Sequence, residues 1–339
     1  MSKTTSKSLP HWGKEELRTA RLENGFRIIY KEVPRPVTHC GLVINAGSRD
    51  EIARNGESGA AHFIEHTLFK GTQKRKAFHI LNRLDTVGGE FNAYTSKEDT
   101  WIYAAFSEQH LERAVELIAD ITFQATFPEK EIVKERDVIL DELNAYLDSP
   151  AEAIFDEFEE RLFAGHPLGG NILGTKESVS EMSRTVLKGF VDRHYQTDQM
   201  VFSAVGATPW KKVLRMCEKH FASIPSGKAK LERIPFKNYQ SFDLRTAKDI
   251  HQVHHMMGTV THGSDHSDRL GLALLANHLG GPTMNNRLSL NVREKHGMAY
   301  NIECAYTPYS DVGTFSVYFG TDRRLHARAE KLVLKELRE

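Results

Sequence analysis

Two stretches of this chain, far apart in sequence, are variations on one pattern. His39-Cys-Gly-Leu-Val-Ile-Asn-Ala-Gly-Ser-Arg-Asp50 returns as His255-Met-Met-Gly-Thr-Val-Thr-His-Gly-Ser-Asp-His266, and the glycine turn and aromatic strands of residues 88–106 return at residues 296–315. The offset, roughly 210 residues, is far longer than a solenoid repeat, so it marks the duplication of a whole domain. A length of 339 residues agrees with about two domains. The expected fold class is therefore α+β, with two tandem copies of one domain, each an antiparallel or mixed sheet with helices packed on one face. The polar, proline-containing stretch Ile224–Thr246 reads as the linker, which sets the copies at residues 1–225 and 245–339. A counterpart of the helix expected at Pro128–Tyr146 would begin near position 340, so the second copy reads as truncated.

Hydrophobic periodicity fills in the first copy. Gly25–Lys31 and Thr38–Ala46 read as strands; Cys40, Leu42 and Ile44 share one face of the second. A helix is predicted from about Ser58 to Phe69, with Ser58 as its N-cap and Gly71 beyond its end. Phe78–Val87 reads as a second helix, Phe91–Phe106 as a strand pair, and Glu108–Phe123 and Pro128–Tyr146 as helices, the last closed by Pro150. Val186–His194 reads as a helix and Met200–Gly206 as a strand. Arg323–Leu337 is amphipathic at helical spacing.

Composition removes several classes of function. Lys plus Arg and Asp plus Glu both total 45, so net charge gives no electrostatic reason for a nucleic-acid or anionic-membrane partner. No apolar run reaches the roughly 18 residues that cross a bilayer. The amino-terminal residues lack the apolar region of a secretory leader, and the first arginine is Arg18. Cys40, Cys217 and Cys304 are too few and too scattered for a disulfide framework, so a reducing cytoplasm is expected. There is no Walker-type loop and no serine or cysteine nucleophile constellation.

The densest chemistry lies in His62-Phe-Ile-Glu65-His66. On a helix, positions i and i+4 share a face, so His62 and His66 can converge on one metal ion. Glu65 falls about 100° from His66 and about 60° from His62 at the helical step, beside the ion but not aimed at it. That is the arrangement zinc hydrolysis requires: neutral imidazoles as ligands, an open position for water, and an adjacent carboxylate to take the proton. A third ligand is needed. Glu135 and Glu142 are two carboxylates seven residues apart on one helical face bordering the apolar stripe, although a solvated, salt-bridged helix makes the same pattern.

The segment Gly59-Ala-Ala-His-Phe-Ile-Glu-His-Thr-Leu-Phe-Lys-Gly-Thr72, with Glu135 and Glu142 following at roughly 75 residues, resembles the pitrilysin family. This is the H-x-x-E-H, or inverzincin, group of zinc metallopeptidases that includes the mitochondrial processing peptidase. The resemblance runs from about Leu22 to Asp322. It implies an α/β-sandwich metallohydrolase domain, one zinc ion per chain held by His62, His66 and Glu142, and Glu65 as the base that activates water. It also implies that Glu135 supports the ligands from behind. Thr67 departs from the apolar residue more usual there.

Two further segments resemble the same family. Gly88-Gly-Glu-Phe-Asn-Ala93 is similar to the strand edge on which the family lays an extended substrate, which would place Gly89, Asn92 and Ala93 against the peptide by β-augmentation. Arg293-Glu-Lys-His-Gly-Met-Ala-Tyr300 resembles the family's Arg/Tyr pair, in which the arginine holds a substrate carbonyl and the tyrosine stabilises the oxyanion. Gly280-Gly-Pro-Thr-Met-Asn-Asn-Arg-Leu288 is similar to a family glycine-rich turn, although Pro282 is unusual in it. The histidines His251, His254, His255, His262 and His266 lie among strand-forming residues with no carboxylate or cysteine partner in view, so no second metal site is expected.

These expectations combine into a zinc metalloendopeptidase acting on extended peptides or unfolded segments, with a catalytically silent subunit of a related complex as the alternative. Longer relatives enclose substrate between two halves. A two-copy chain makes one half, which implies a homodimer, or a heterodimer with a related subunit, whose sites receive Arg293 and Tyr300 in trans.

Overall fold

The computed structural model describes residues 17–229 and 232–339. Residues 1–16, which carry the reading about a missing leader, lie outside the described residues, as do residues 230–231 in the expected linker. The described residues divide into two compact units: residues 17–47, 51–137 and 177–229 form the first, and residues 48–50, 138–176 and 232–339 the second.

The strands of unit 1 are β1 (Arg18–Arg21), β2 (Arg27–Glu32), β3 (Val37–Ile44), β4 (Glu90–Thr95), β5 (Thr100–Ser107) and β6 (Met200–Gly206). They form one mixed sheet in the order β1-β2-β6-β3-β5-β4, with β2 and β6 parallel and every other pair antiparallel. In β5 and β6 burial alternates residue by residue, the period of a sheet covered on one face. Ile28, Tyr30, Leu42, Ile44, Ile102 and Phe202 supply that covered face and are essentially inaccessible to solvent.

Among the helices of this part of the chain, α1 (Ala60–Leu68) and α2 (Ala77–Asp85) precede β4, and α3 (Leu111–Phe123) packs on β3 and β5. The long helix α4 (Glu129–Leu147) starts in unit 1 and runs unbroken across the division between the units. Pro150 does not merely end α4. It opens α5 (Pro150–Leu162) at the first helical position, where a missing N–H costs nothing. Then come α6 (Lys176–Glu181), α7 (Arg184–His194) and α8 (Trp210–Phe221); α7 packs on α1 and α8 on β2.

In unit 2, β7 (Gln252–Thr261), β8 (Ile302–Pro308) and β9 (Gly313–Asp322) form an antiparallel sheet in the order β7-β9-β8. This is the order of β3, β5 and β4 in unit 1, as a duplicated domain requires. Gly88 and Gly297 open the two equivalent strand pairs at positive φ, 72° and 58°, a conformation that excludes most side chains. Helix α9 (Arg269–Gly280) packs against β8 and α10 (His326–Arg338) against β9, burying Leu288, Val292, Phe319, Ala329 and Val333. A second cluster joins Phe158, Leu162 and Phe163 of the α5 segment to Tyr309 and Val312, which is why residues 138–176 belong to this unit.

Candidate metal centre

Helix α1 carries His62, Glu65 and His66. Ala60, Ala61, Phe63, Ile64 and Leu68 are fully buried and fix the helix in the core of unit 1, so the histidines have little freedom to turn away. The N-cap is Gly59, at φ 85°, with no capping side chain of its own; Ser58 does not cap. The capping groups come from Glu51, whose two carboxylate oxygens accept the backbone N–H of Gly59 at 2.8 Å and of Ala61 at 2.9 Å. Burial pushes the Glu51 carboxyl well above the usual carboxylate range, against these two hydrogen bonds, which pull it down. Thr67 is buried, and its hydroxyl donates to the carbonyls of Phe63 at 2.8 Å and Ile64 at 3.1 Å, so the departure from an apolar residue leaves no unsatisfied group.

His62, His66 and Glu142 each bring one potential ligand atom to a common point, all within 4.8 Å of one another. The two imidazoles are 4.7 Å apart between ring centres, at 65° to each other. Burial, with the neighbouring His66, pulls His62 down to about 3, so its ring is neutral at ordinary pH, the form that ligates metal. His66 Nδ1 pairs with Glu135 Oε2 at 3.1 Å, leaving Nε2 as its other ring nitrogen. Glu135, buried, is held in turn by Lys70, whose Nζ lies 2.7 Å from Oε1. Two imidazoles, one of them buttressed by a carboxylate, and the Glu142 carboxylate make a donor set that suits zinc.

Glu65 is half-buried, next to His66. The buried Tyr195 feels its charge: burial raises the phenol most, and Glu65 adds to the rise. Lys70, Glu51 and Tyr195 were not anticipated. Only Lys70 left a trace in the sequence, four residues after His66 and just beyond the C-terminal end of α1; Glu51 and Tyr195 meet α1 through tertiary packing alone.

Strand β4 pairs only with β5 among the described residues, which makes it an edge. Asn92 is exposed on it and Ala93 is buried; the Ala93 N–H donates to Asn92 Oδ1 at 2.8 Å. Gly89 has a packing reason of its own, since a Cβ there would meet Phe106 Cβ at 3.0 Å and the Ala105 carbonyl at 3.2 Å. In unit 2, Arg293 stands on a π-helical turn (Ser289–Glu294), with its Nε 2.9 Å from Glu294 Oε1. Tyr300 is 78 % exposed, and its backbone N–H donates to the Gly320 carbonyl.

An H-x-x-E-H helix with a carboxylate on a second helix, set on a duplicated α/β frame, defines the class of inverzincin-type metallopeptidase proteins. Residues 27–176 match the insulinase family model of peptidase family M16, and residues 181–339 match the model described as the M16 inactive domain. An uncharacterized zinc protease of Mycobacterium leprae is 36% identical over 321 residues, spanning 90% of this chain and 71% of that protein. The uncharacterized zinc protease YmxG of Bacillus subtilis is 33% identical over 301 residues, spanning 88% and 72%. A protease from Helicobacter pylori shares the fold with a TM-score of 0.88 at 24% identity, over 96% of this chain and 79% of that one. The chain belongs to the M16, or pitrilysin, peptidase family. Among the described residues no helix is long and apolar enough to cross a membrane.

Proposed function

We propose that the chain is a zinc-dependent endopeptidase that cleaves peptides or unfolded polypeptide segments bound in extended form. The observation that carries this reading is the convergence of His62, His66 and Glu142 to within 4.8 Å, with Glu65 on the same helix as the two histidines. His62, His66 and Glu142 would hold the ion and Glu135 would keep the His66 ring in its ligating orientation. Zinc bound there supplies Lewis acidity, polarising the scissile carbonyl and acidifying water. Glu65 takes the proton from the attacking water and delivers it to the leaving amine nitrogen. The edge of β4 around Gly89, Asn92 and Ala93 pairs with the substrate backbone, which selects extended chains with little regard to side chains.

Arg293 donates to a substrate carbonyl and the Tyr300 hydroxyl to the developing oxyanion. A second copy of the chain, or a related subunit, would supply this pair to the zinc site; the wide exposure of Tyr300 supports a role outside its own core. The domains are taken as residues 1–225, catalytic, and 245–339. The buried, unpaired thiols Cys40, Cys217 and Cys304 agree with a cytoplasmic location. A silent scaffold subunit is the rival reading, and the complete donor set with Glu65 in place argues against it.

Glu65→Gln tests the assignment. The variant is expected to lose hydrolysis of an unfolded peptide substrate while keeping its zinc, because the amide cannot accept a proton and is not needed as a ligand. Near-normal turnover would remove Glu65 from its role. A wild-type protein that holds zinc and cleaves no peptide would favour the scaffold.

A further inference from the structure

The histidine-rich stretch of the second copy acquires partners that the sequence did not place beside it. His326 is the first residue of α10 and Glu330 follows four positions later, so the two share one helical face. Opposite them, on β7, stands His255. One potential ligand atom from each of the three lies within 4.8 Å of the others, and all three residues are half-buried. His255 Nδ1 and His326 Nε2 are 2.7 Å apart. The His255 ring is stacked on Phe319, its cross-strand partner on β9, at 4.9 Å and 12°. Packing therefore sets the direction of its nitrogens before any ligand arrives.

We propose that His255, His326 and Glu330 form a second divalent-metal site, distinct from the one on α1, that ties strand β7 to helix α10 in unit 2. Two imidazoles and one carboxylate suit a borderline ion such as Zn2+ over a hard one such as Mg2+. In the metal-free site one of these two nitrogens donates its proton to the other in a hydrogen bond. Coordination at both nitrogens moves that proton to the far nitrogen of its own ring, so no oxidant or additional acid is needed. Burial, and then the neighbouring His326, hold His255 below the usual histidine range, with Glu330 pulling the other way, so the ring is available as a neutral donor. A third group, His262, His266 and Asp268, also brings its ligand atoms within 4.8 Å. There His262 and Asp268 are exposed, and the His262 and His266 rings lie flat on one another at 3.6 Å, without a buried wall like that of Phe319. It serves as the internal control.

The test is zinc stoichiometry on the full-length protein, stripped with chelator and reloaded with Zn2+, with circular dichroism to follow folding and Co2+ absorption as an independent signal. Wild type is expected to bind two ions per chain. His62→Ala with His66→Ala is expected to keep one, and addition of His326→Ala with Glu330→Gln to leave none. Glu330→Gln alone, a near-isosteric change on a helix surface, is expected to weaken the second equivalent by about tenfold or more while peptide hydrolysis is unchanged. Should the His62/His66 variant fail to fold, wild type against His326→Ala with Glu330→Gln still reads two ions against one. A folded His62/His66 variant that takes up no zinc overturns the proposal. So does a second equivalent that survives loss of His326 and Glu330 and disappears with His262→Ala and His266→Ala.

Discussion

One ligand of the candidate zinc centre is backed by a chain of contacts. His66 leans on Glu135 at 3.1 Å, and Glu135 on Lys70 at 2.7 Å. A carboxylate behind a ligating imidazole fixes its tautomer and raises its basicity. Glu135→Gln keeps the shape but removes the charge shared by His66 and Lys70. It is expected to weaken zinc affinity by roughly 10–100-fold, measured by competition with a chelator, with turnover of the zinc-saturated variant reduced much less. Unchanged affinity would mean that the contact is incidental. The convergence of His62 and His66 was legible in the sequence because i, i+4 spacing is a property of the helix itself. The contribution of Lys70 was not, since its partner lies 65 positions away and reaches it only after α4 packs.

Helix α1 is short, and a nine-residue helix is marginal without tertiary support. Glu51 supplies part of that support by taking the N–H groups of Gly59 and Ala61. Glu51→Ala leaves two first-turn donors without this acceptor and is expected to cost about 0.5–2 kcal/mol in denaturant unfolding, accompanied by weaker zinc binding as the histidines lose their mount. Full stability would show that water replaces the carboxylate. In unit 2, Asp311 plays a comparable part between segments. It accepts from Arg49 at 2.5 Å and from the Phe236 N–H at 2.8 Å. Burial alone would raise its pKa; the Arg49 guanidinium, the Phe236 N–H and the N–H of Asp311 itself outweigh burial and hold it below the usual aspartate value of 3.8. A depressed carboxylate binds its proton less readily in the folded state than in the unfolded one. Its stabilisation is therefore present above pH 3.8 and is lost as pH falls through the lower, folded value. Asp311→Asn is expected to cost roughly 1–3 kcal/mol at neutral pH and to flatten the acid limb of stability below about pH 4. An unaltered acid limb would exclude this ion pair as its source.

For the whole molecule the decisive question is whether two chains cooperate in one site. If Arg293 and Tyr300 serve the zinc centre of a partner copy, activity depends on protein concentration. A Glu65→Gln chain mixed with a Tyr300→Phe chain should recover part of the wild-type rate, because one of the two mixed sites then has every group intact. Mixed dimers that stay inactive would defeat the arrangement. The same experiment separates an oxyanion role for Tyr300 from a packing role, since a core tyrosine would not be 78 % exposed.

What the sequence determined by itself is local or periodic. The strands β3 and β6, the helix carrying His62, Glu65 and His66, the carboxylate face of α4 and the duplication all follow from spacings of two, four and seven residues and from a repeated pattern. The tertiary structure alone decided the rest. It placed β6 between β2 and β3, turned Pro150 from a helix end into a helix start, and replaced Ser58 with Glu51 at the cap of α1. It also brought His326 and Glu330 to His255, 71 and 75 positions away, where the sequence offered no carboxylate in view. The reason is the same in each case. Local preferences are set by neighbours along the chain, whereas partners dozens of residues apart meet only through the sum of many weak packing contacts, and no short window of sequence contains that sum.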